Sequence, residues 1–225
     1  MTLLEEKTEA TTETTVATKE NGDHPVPVTR GRIDVILIAL GAAAAVVLLV
    51  AGGLLTWGST FAGDYVSREL ADQKISFPPA AALEEEGRDD LVQYGGQQVD
   101  TGAEAEAYAS YIQGHVDGMA DGRTFSELRE PQVAAEEAVN EAVESGAPNA
   151  EVAQLQAELD EINGLRMTVF QGEVLRGTLL STYAWATIGQ IAGIAALVAF
   201  VAAGVMVVLV VLGMVHLRRM HRSQA

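Results

Sequence analysis

Between Tyr94 and Val116 the chain reads YGGQQVDTGAEAEAYASYIQGHV, a stretch that holds two adjacent glycines, two adjacent glutamines, three tyrosines and a histidine. A histidine among carboxylates is the ordinary material of a metal or general acid–base site. Catalytic zinc and non-haem iron sites gather two or more histidines with a carboxylate. The chain has four histidines, and of these only His115 falls in its central part; His24 lies near the start, and His216 and His221 near the end. His115 therefore reads either as a helix residue or as a single ligand among acids. The run Glu84, Glu85, Glu86, Asp89, Asp90 reads as a solvated charge cluster or a weak calcium site, without the Asp-x-Asp-x-Asp-Gly loop that fixes calcium geometry. No Gly-x-Ser-x-Gly, P-loop or dinucleotide glycine pattern is present. With no cysteines, disulfides, thiolate catalysis and cysteine-bound zinc or iron–sulfur centres are excluded. No catalytic, cofactor-binding or metal-ligating residue is assigned, and no cofactor is expected.

Much of the opening stretch has a structural use. Gly95-Gly96 permits a tight bend. Asp100 and Thr101 are good helix starters, and Thr101 with Glu104 three residues later reads as a capping box. Tyr108, Tyr111, Ile112, His115, Val116 and Met119 then fall on one helical face. Gln97 and Gln98 have no such use. A bend plus helix start is one reading; a ligand or partner contact formed by Tyr94, Gln97, Gln98, Tyr108 and His115 is the other.

The elements around this stretch are set by two apolar runs. Ile33–Leu55 is almost all Ile, Leu, Val, Ala and Gly, and no permanently charged residue occurs from Gly177 to Leu217. A bilayer core about 30 Å thick needs roughly 20 apolar residues in a helix. Both runs suffice, and transmembrane helices are expected over 33–57 and 188–215. A cleaved signal has an apolar core of about 7–15 residues near the chain start. Here a polar segment comes first and Thr60-Phe61-Ala62 is a poor cleavage site, so an uncleaved anchor is expected.

Residues 1–29 are Thr- and Glu-rich and are expected to be a disordered cytoplasmic tail, with phosphorylation of a threonine as an alternative role. Beyond Trp57, the positions Phe61, Tyr65, Val66 and Leu70 keep helical spacing, so the first span should continue as a post to about Lys74. Pro78-Pro79 breaks it. Thr124 and Glu127 read as a second capping box, ahead of a small-residue stripe at Ala134, Ala135, Ala138, Val139, Ala142 and Val143. A last helix starts near Asn149 and runs into the second span, with a soft point at Asn163-Gly164. No strand pattern competes. The expected fold is an all-α membrane protein: a two-transmembrane-helix hairpin with an acidic helical extracytoplasmic domain over 58–186, and a basic cytoplasmic tail over 216–225.

Charge sets the expected orientation. Arg30 and Arg32 precede the first span, and Arg218, Arg219 and Arg222 follow the second. Cytoplasmic flanks carry the Lys/Arg excess, so both termini are expected inside the cell membrane and the middle outside. Residues 58–176 hold 24 acidic and 7 basic side chains, a balance of −17 that equals the net charge of the whole chain. Such a surface repels nucleic acid, and that class is excluded.

Within the second span, Gly189-Gln-Ile-Ala-Gly193 is a GxxxG continued by Ala192, Ala196, Ala199 and Ala203, and the first span offers Gly41, Ala45, Gly52 and Gly53. Small residues let helices approach closely in lipid. Gly189, Gln190 and Gly193 are the expected helix-packing residues. They would serve either the two spans of one chain or a protein partner or second copy, with Gln190 seeking a hydrogen bond across the contact.

The motifs ADQKISFPP, YGGQQVDTGAEAEAYA and VFQGEVLRGTLLSTYAWATIGQIA together resemble a family of two-span actinobacterial membrane proteins of unknown function. The resemblance touches about a third of the chain. It implies a cell-membrane location and no assigned activity. Members often carry the label aromatic ring-opening dioxygenase, which implies iron with His and Glu ligands; the present sequence offers no such cluster. The expected function is a non-enzymatic membrane protein that displays its acidic domain for partner binding or self-assembly. The alternatives are a metal-dependent enzyme or ligand binder around His115, and an envelope sensor signalling to the N-terminal tail.

Overall fold

The computed structural model describes residues 30–222 and contains five α-helices: α1 (Arg30–Gln73), α2 (Ala80–Glu85), α3 (Gly102–Ala120), α4 (Arg129–Glu144) and α5 (Asn149–Arg222). A 3-10 helix, Asp89–Tyr94, lies between α2 and α3. The tail over 1–29, with its expected disorder and phosphorylation, lies outside the described residues. Among the described residues the sole extended pairing is one isolated antiparallel bridge, Ser76 to Gln98.

α5 is the spine. It runs 74 residues without interruption, about 110 Å at 1.5 Å per residue. The soft point expected at Asn163-Gly164 does not break it. A helical glycine costs only about 1 kcal/mol, and Asn163 is held from outside by the Gln132 side-chain amide, which donates to its Oδ1 at 2.8 Å. Three helices pack on this spine. α1 lies antiparallel to its C-terminal two-thirds, since Gly213 faces Ile38, Gly52 faces Phe200 and Gly189 faces Ala62. α3 also runs antiparallel, with Gly102 against Ala186 and Gly172 against Val116. α4 folds back on the N-terminal end, over a turn in which Gly146 takes φ +68°.

The surplus length of the second apolar run is explained by this packing. Leu179 is fully buried among Val66 and Leu70 of α1 and Ala105 and Ala109 of α3. Leu180 and Ala186 pack beside it, so the inward positions of this stretch are apolar because they face the protein core, while Gly177, Thr178, Ser181 and Trp185 on its other sides are exposed. Phe77 and Val99 close the same cluster from the connecting segment. A second cluster joins Val116, Ala120, Leu128 and Val169, and a third joins Leu83, Leu91 and Tyr111.

α1 ends at a left-handed Lys74 (φ 53°) followed by Ile75-Ser76-Phe77-Pro78-Pro79. The returning strand-like segment holds this end. Phe77 N donates to Gln97 O and Val99 N to Ile75 O, both at 2.9 Å. Gly95 passes so close to α2 that a Cβ on it would lie 2.6 Å from Ala80 N, and Gly96 takes φ +72°. The two glycines therefore serve different needs, close approach and left-handed backbone.

α3 begins with a complete capping box. Glu104 N donates to Thr101 Oγ1 at 3.2 Å, and the Glu104 carboxylate accepts from the amides of Asp100 and Thr101 at 3.0 and 2.9 Å. Burial pushes the Glu104 carboxyl up, but these hydrogen bonds outweigh it and hold the group below its ordinary value of 4.5. The neighbouring Asp100 carboxyl is pushed up by the Glu104 charge. A depressed carboxylate stabilises the fold fully above its unfolded pKa, and that contribution is lost as pH falls through the lower folded value. Amide-exchange protection at Thr101 is therefore expected to decline once pH drops below about 4.5. Glu104→Gln should lower that protection at neutral pH and flatten its acid dependence. Thr101→Ala should cost the helix about 1 kcal/mol.

The packing sets where the patterned faces stop and where α4 begins. His115 and Met119 are exposed, Met119 by 49%. α2 and the 3-10 helix cover α3 as far as Tyr111 and Ile112, and the side chains one and two turns later project past that cover. Thr124 and Glu127 exchange their capping-box bonds at 2.8 and 3.3 Å, but on a turn: α4 starts at Arg129, with Pro131 in its first turn and Leu128 buried beneath it. Of the α4 stripe, Ala134 and Val143 are exposed, and contact with α5 is left to the positions between them.

Candidate functional site: the α1–α5 seam and its neighbouring grooves

The seam is built from small residues. Gly189 is buried, and a Cβ placed on it would lie 3.0 Å from Ala62 Cβ; one on Gly193 would lie 2.9 Å from Ser59 Oγ. Ala45 on α1 and Ala196, Ala199 and Ala203 on α5 are buried along the same line. Gln190 lies off this line and is exposed, because it follows Gly189 by one residue, a turn of about 100° round the helix. Gly53 likewise faces open space.

The expected contact set divides. Tyr94, Tyr108 and His115 belong to one aromatic row. Phe77 stacks on Tyr94 with centroids 5.2 Å apart and meets Tyr108 edge-on at 5.1 Å. Tyr108 is 5.5 Å from Tyr111, and Tyr111 is 4.4 Å from His115. The row runs from the core to the surface and ends where Tyr111 Oη meets His115 Nε2 at 3.4 Å. Burial pushes both Tyr108 and Tyr111 up, and at Tyr111 the Glu86 charge adds to it. Gln97 and Gln98 stand apart from the row. Gln98 Nε2 donates to Ala71 O at 3.0 Å, satisfying a carbonyl in the last turn of α1, and Gln97 Nε2 donates to Gln93 O at 2.6 Å. Both are exposed fasteners of the chain reversal.

Beside His115, a shallow cavity of about 360 Å³ is lined by Glu86, Arg88, Gly114, Gly118 and Met119. Arg88 is committed elsewhere. It pairs with Asp90 at 2.8 Å and donates to Ser110 O and Oγ at 3.0 and 2.9 Å, pinning the 3-10 helix to α3. That hydrogen bond raises Arg88 and holds Asp90 below its ordinary value. Among the described residues no group of three His, Asp or Glu side chains is placed to hold a metal ion.

Two features escape a reading of motifs. Arg166 lies 4.0 Å over the Phe125 ring and donates to Gln132 Oε1 at 2.6 Å, fastening α4 and the turn before it to α5. The second is a pair of cavities end to end along α1 and α5, sharing Tyr65 and Trp185. One, about 380 Å³, is bordered by Gly58, Phe61, Ala62, Ile188, Gly189 and Ala192. The other, about 520 Å³, is bordered by Glu69, Gln73, Thr178, Ser181 and Thr182. Trp57, Phe61 and Tyr65 stack in file at 5.7 and 6.2 Å beside them. The spacing of Trp57, Phe61, Tyr65 and Trp185 was the available signal; their meeting in one groove depends on the register of α1 on α5.

The fold and seam define an all-helical protein with two helices long and apolar enough to cross a membrane. Comparison with protein families, with curated proteins and with solved structures finds no match to the chain.

Proposed function

We propose that this is a non-enzymatic integral membrane protein of the cell membrane. It crosses the bilayer as a hairpin through 33–57 and 188–215, keeps both termini in the cytoplasm, and displays the acidic helical bundle outside for a protein partner or another copy. One observation carries the reading. Apolar side chains around both helices face outward, among them Leu37 (60%), Val47 (65%), Leu54 (65%), Ile194 (66%), Leu197 (65%) and Leu212 (58%). In the intervening bundle, by contrast, Leu70, Leu83, Leu128 and Val169 are buried. A chain able to bury apolar residues in one half and exposing a continuous apolar band in the other is matched to lipid, not water.

The bundle's charge constrains its partner. Two copies would repel through acidic surfaces at low ionic strength, so contact through the bundle favours a basic partner, whereas self-assembly favours the membrane segments. The test is the mass of the detergent-purified complex at rising salt. A heteromeric complex that dissociates with salt, or a salt-insensitive homo-oligomer, supports the reading. A single chain at every salt concentration that turns over a substrate contradicts it.

A further inference from the structure

We propose that the paired cavities along α1 and α5 hold one bilayer amphiphile whose headgroup bears a primary ammonium. This rests on the membrane reading above. The groove changes chemistry along its length. Its end beside Gly58, Ala62, Gly189 and Ala192 offers almost no polar atom, which suits an acyl chain. Past Tyr65 and Trp185 it becomes polar. These exposed aromatic rings stand at the outer ends of the apolar segments, where bilayer interfaces concentrate Trp and Tyr.

The polar end is rich in acceptors, and its one charge is a carboxylate. Thr178 Oγ1 donates its proton to Val174 O at 2.9 Å, and Thr182 Oγ1 donates to Thr178 O at 3.0 Å. A hydroxyl that has spent its proton this way presents only lone pairs to a neighbour. Among the described residues Glu69, also an acceptor, is the one charged side chain lining this end, and no lysine or arginine joins it. Gln73, Ser181 and Trp185 can donate as well, so the charge selects the headgroup: the occupant brings a hydrogen-bonding cation to Glu69 and does not depend on a positive side chain. A primary ammonium does both and complements the carboxylate. A quaternary ammonium has no proton to give, and a glycerol headgroup on an anionic lipid brings donors with an uncompensated negative charge.

The full-length protein is reconstituted in bilayers of phosphatidylethanolamine, phosphatidylcholine or phosphatidylglycerol with matched chains, and co-released lipid is counted by native mass spectrometry. One phosphatidylethanolamine per chain should be retained over either other lipid by about tenfold, the size of one charge-assisted hydrogen bond. Glu69→Gln, at an exposed position, should remove the preference without altering the circular dichroism spectrum. Ala192→Leu should displace lipid of every kind. Equal retention of the three lipids, an unchanged preference in Glu69→Gln, or a lipid-free dimer would overturn the proposal while leaving the membrane reading intact. Failure to enter bilayers at all would overturn the membrane reading itself.

Discussion

Phe77→Ala is expected to lower the stability of the helical bundle by about 3–5 kcal/mol, the usual cost of deleting a buried phenyl ring. Phe77 is 3% exposed and belongs to none of the helices. Its ring nevertheless sits among Val66 and Leu70 of α1, Ala105 and Ala109 of α3, and Leu179 of α5. It also forms two aromatic contacts, with Tyr94 and Tyr108, each worth roughly 0.5–1.5 kcal/mol beyond burial. Its backbone is fixed by the Gln97 carbonyl on one side, and Pro78 follows on the other, so the chain has little freedom to collapse into the cavity. Thermal melting in detergent, followed by circular dichroism, should show a drop on the order of 10 °C. Phe61→Ala is the control: that ring is 56% exposed and its loss should move the midpoint little. A shift at Phe77 no larger than at Phe61 would contradict the assigned core.

The second large effect is expected from Gly189→Leu combined with Gly193→Leu. At each position even a single added carbon would press on α1, against Ala62 Cβ in one case and Ser59 Oγ in the other. A leucine brings three more carbons; Ala62 Cβ is fixed to the backbone, and Ser59 can yield only by turning its hydroxyl about one bond. Overpacking costs about 1–3 kcal/mol per site, and the two sites sit one turn apart on the same seam, so their strain should add toward separation of α1 from α5. Cysteines placed at Ala45 and Ala203, both buried in the seam, would report this by loss of cross-linking. Gly53→Leu with Gly204→Leu is the matched control, because both glycines face open space. Equal cross-linking in the seam variant and the control would show that the glycines do not set the helix approach.

Local signals in the sequence carried far. The two apolar helices, the break at Pro78-Pro79, the bend at Gly95-Gly96 and the Thr101–Glu104 box can each be read within a few residues, because the physics that makes them is local. Contacts between distant segments could not be read that way. Gln98 looked free because its acceptor, Ala71 O, is 27 residues away. Gln190 looked like part of the packing face because a GxxxG spacing marks the glycines without saying which side the residue between them takes. Helical periodicity put His115 on one face with Tyr108 and Tyr111, but only the length of the covering segment decides where the buried part of that face stops. The groove at Tyr65 and Trp185 arises from the register of two helices more than a hundred residues apart in the chain, which no motif encodes.

The absence of any native cysteine makes the topology directly measurable. Thr18→Cys, Ser145→Cys and Ser223→Cys, made singly in full-length protein, are treated with a membrane-impermeant maleimide on intact cells and again after permeabilisation. The account predicts that Ser145→Cys reacts on intact cells, and that Thr18→Cys and Ser223→Cys react only once the membrane is opened. A protected Ser145→Cys, a mature chain lacking residue 18, or recovery of the protein in the soluble fraction would contradict it.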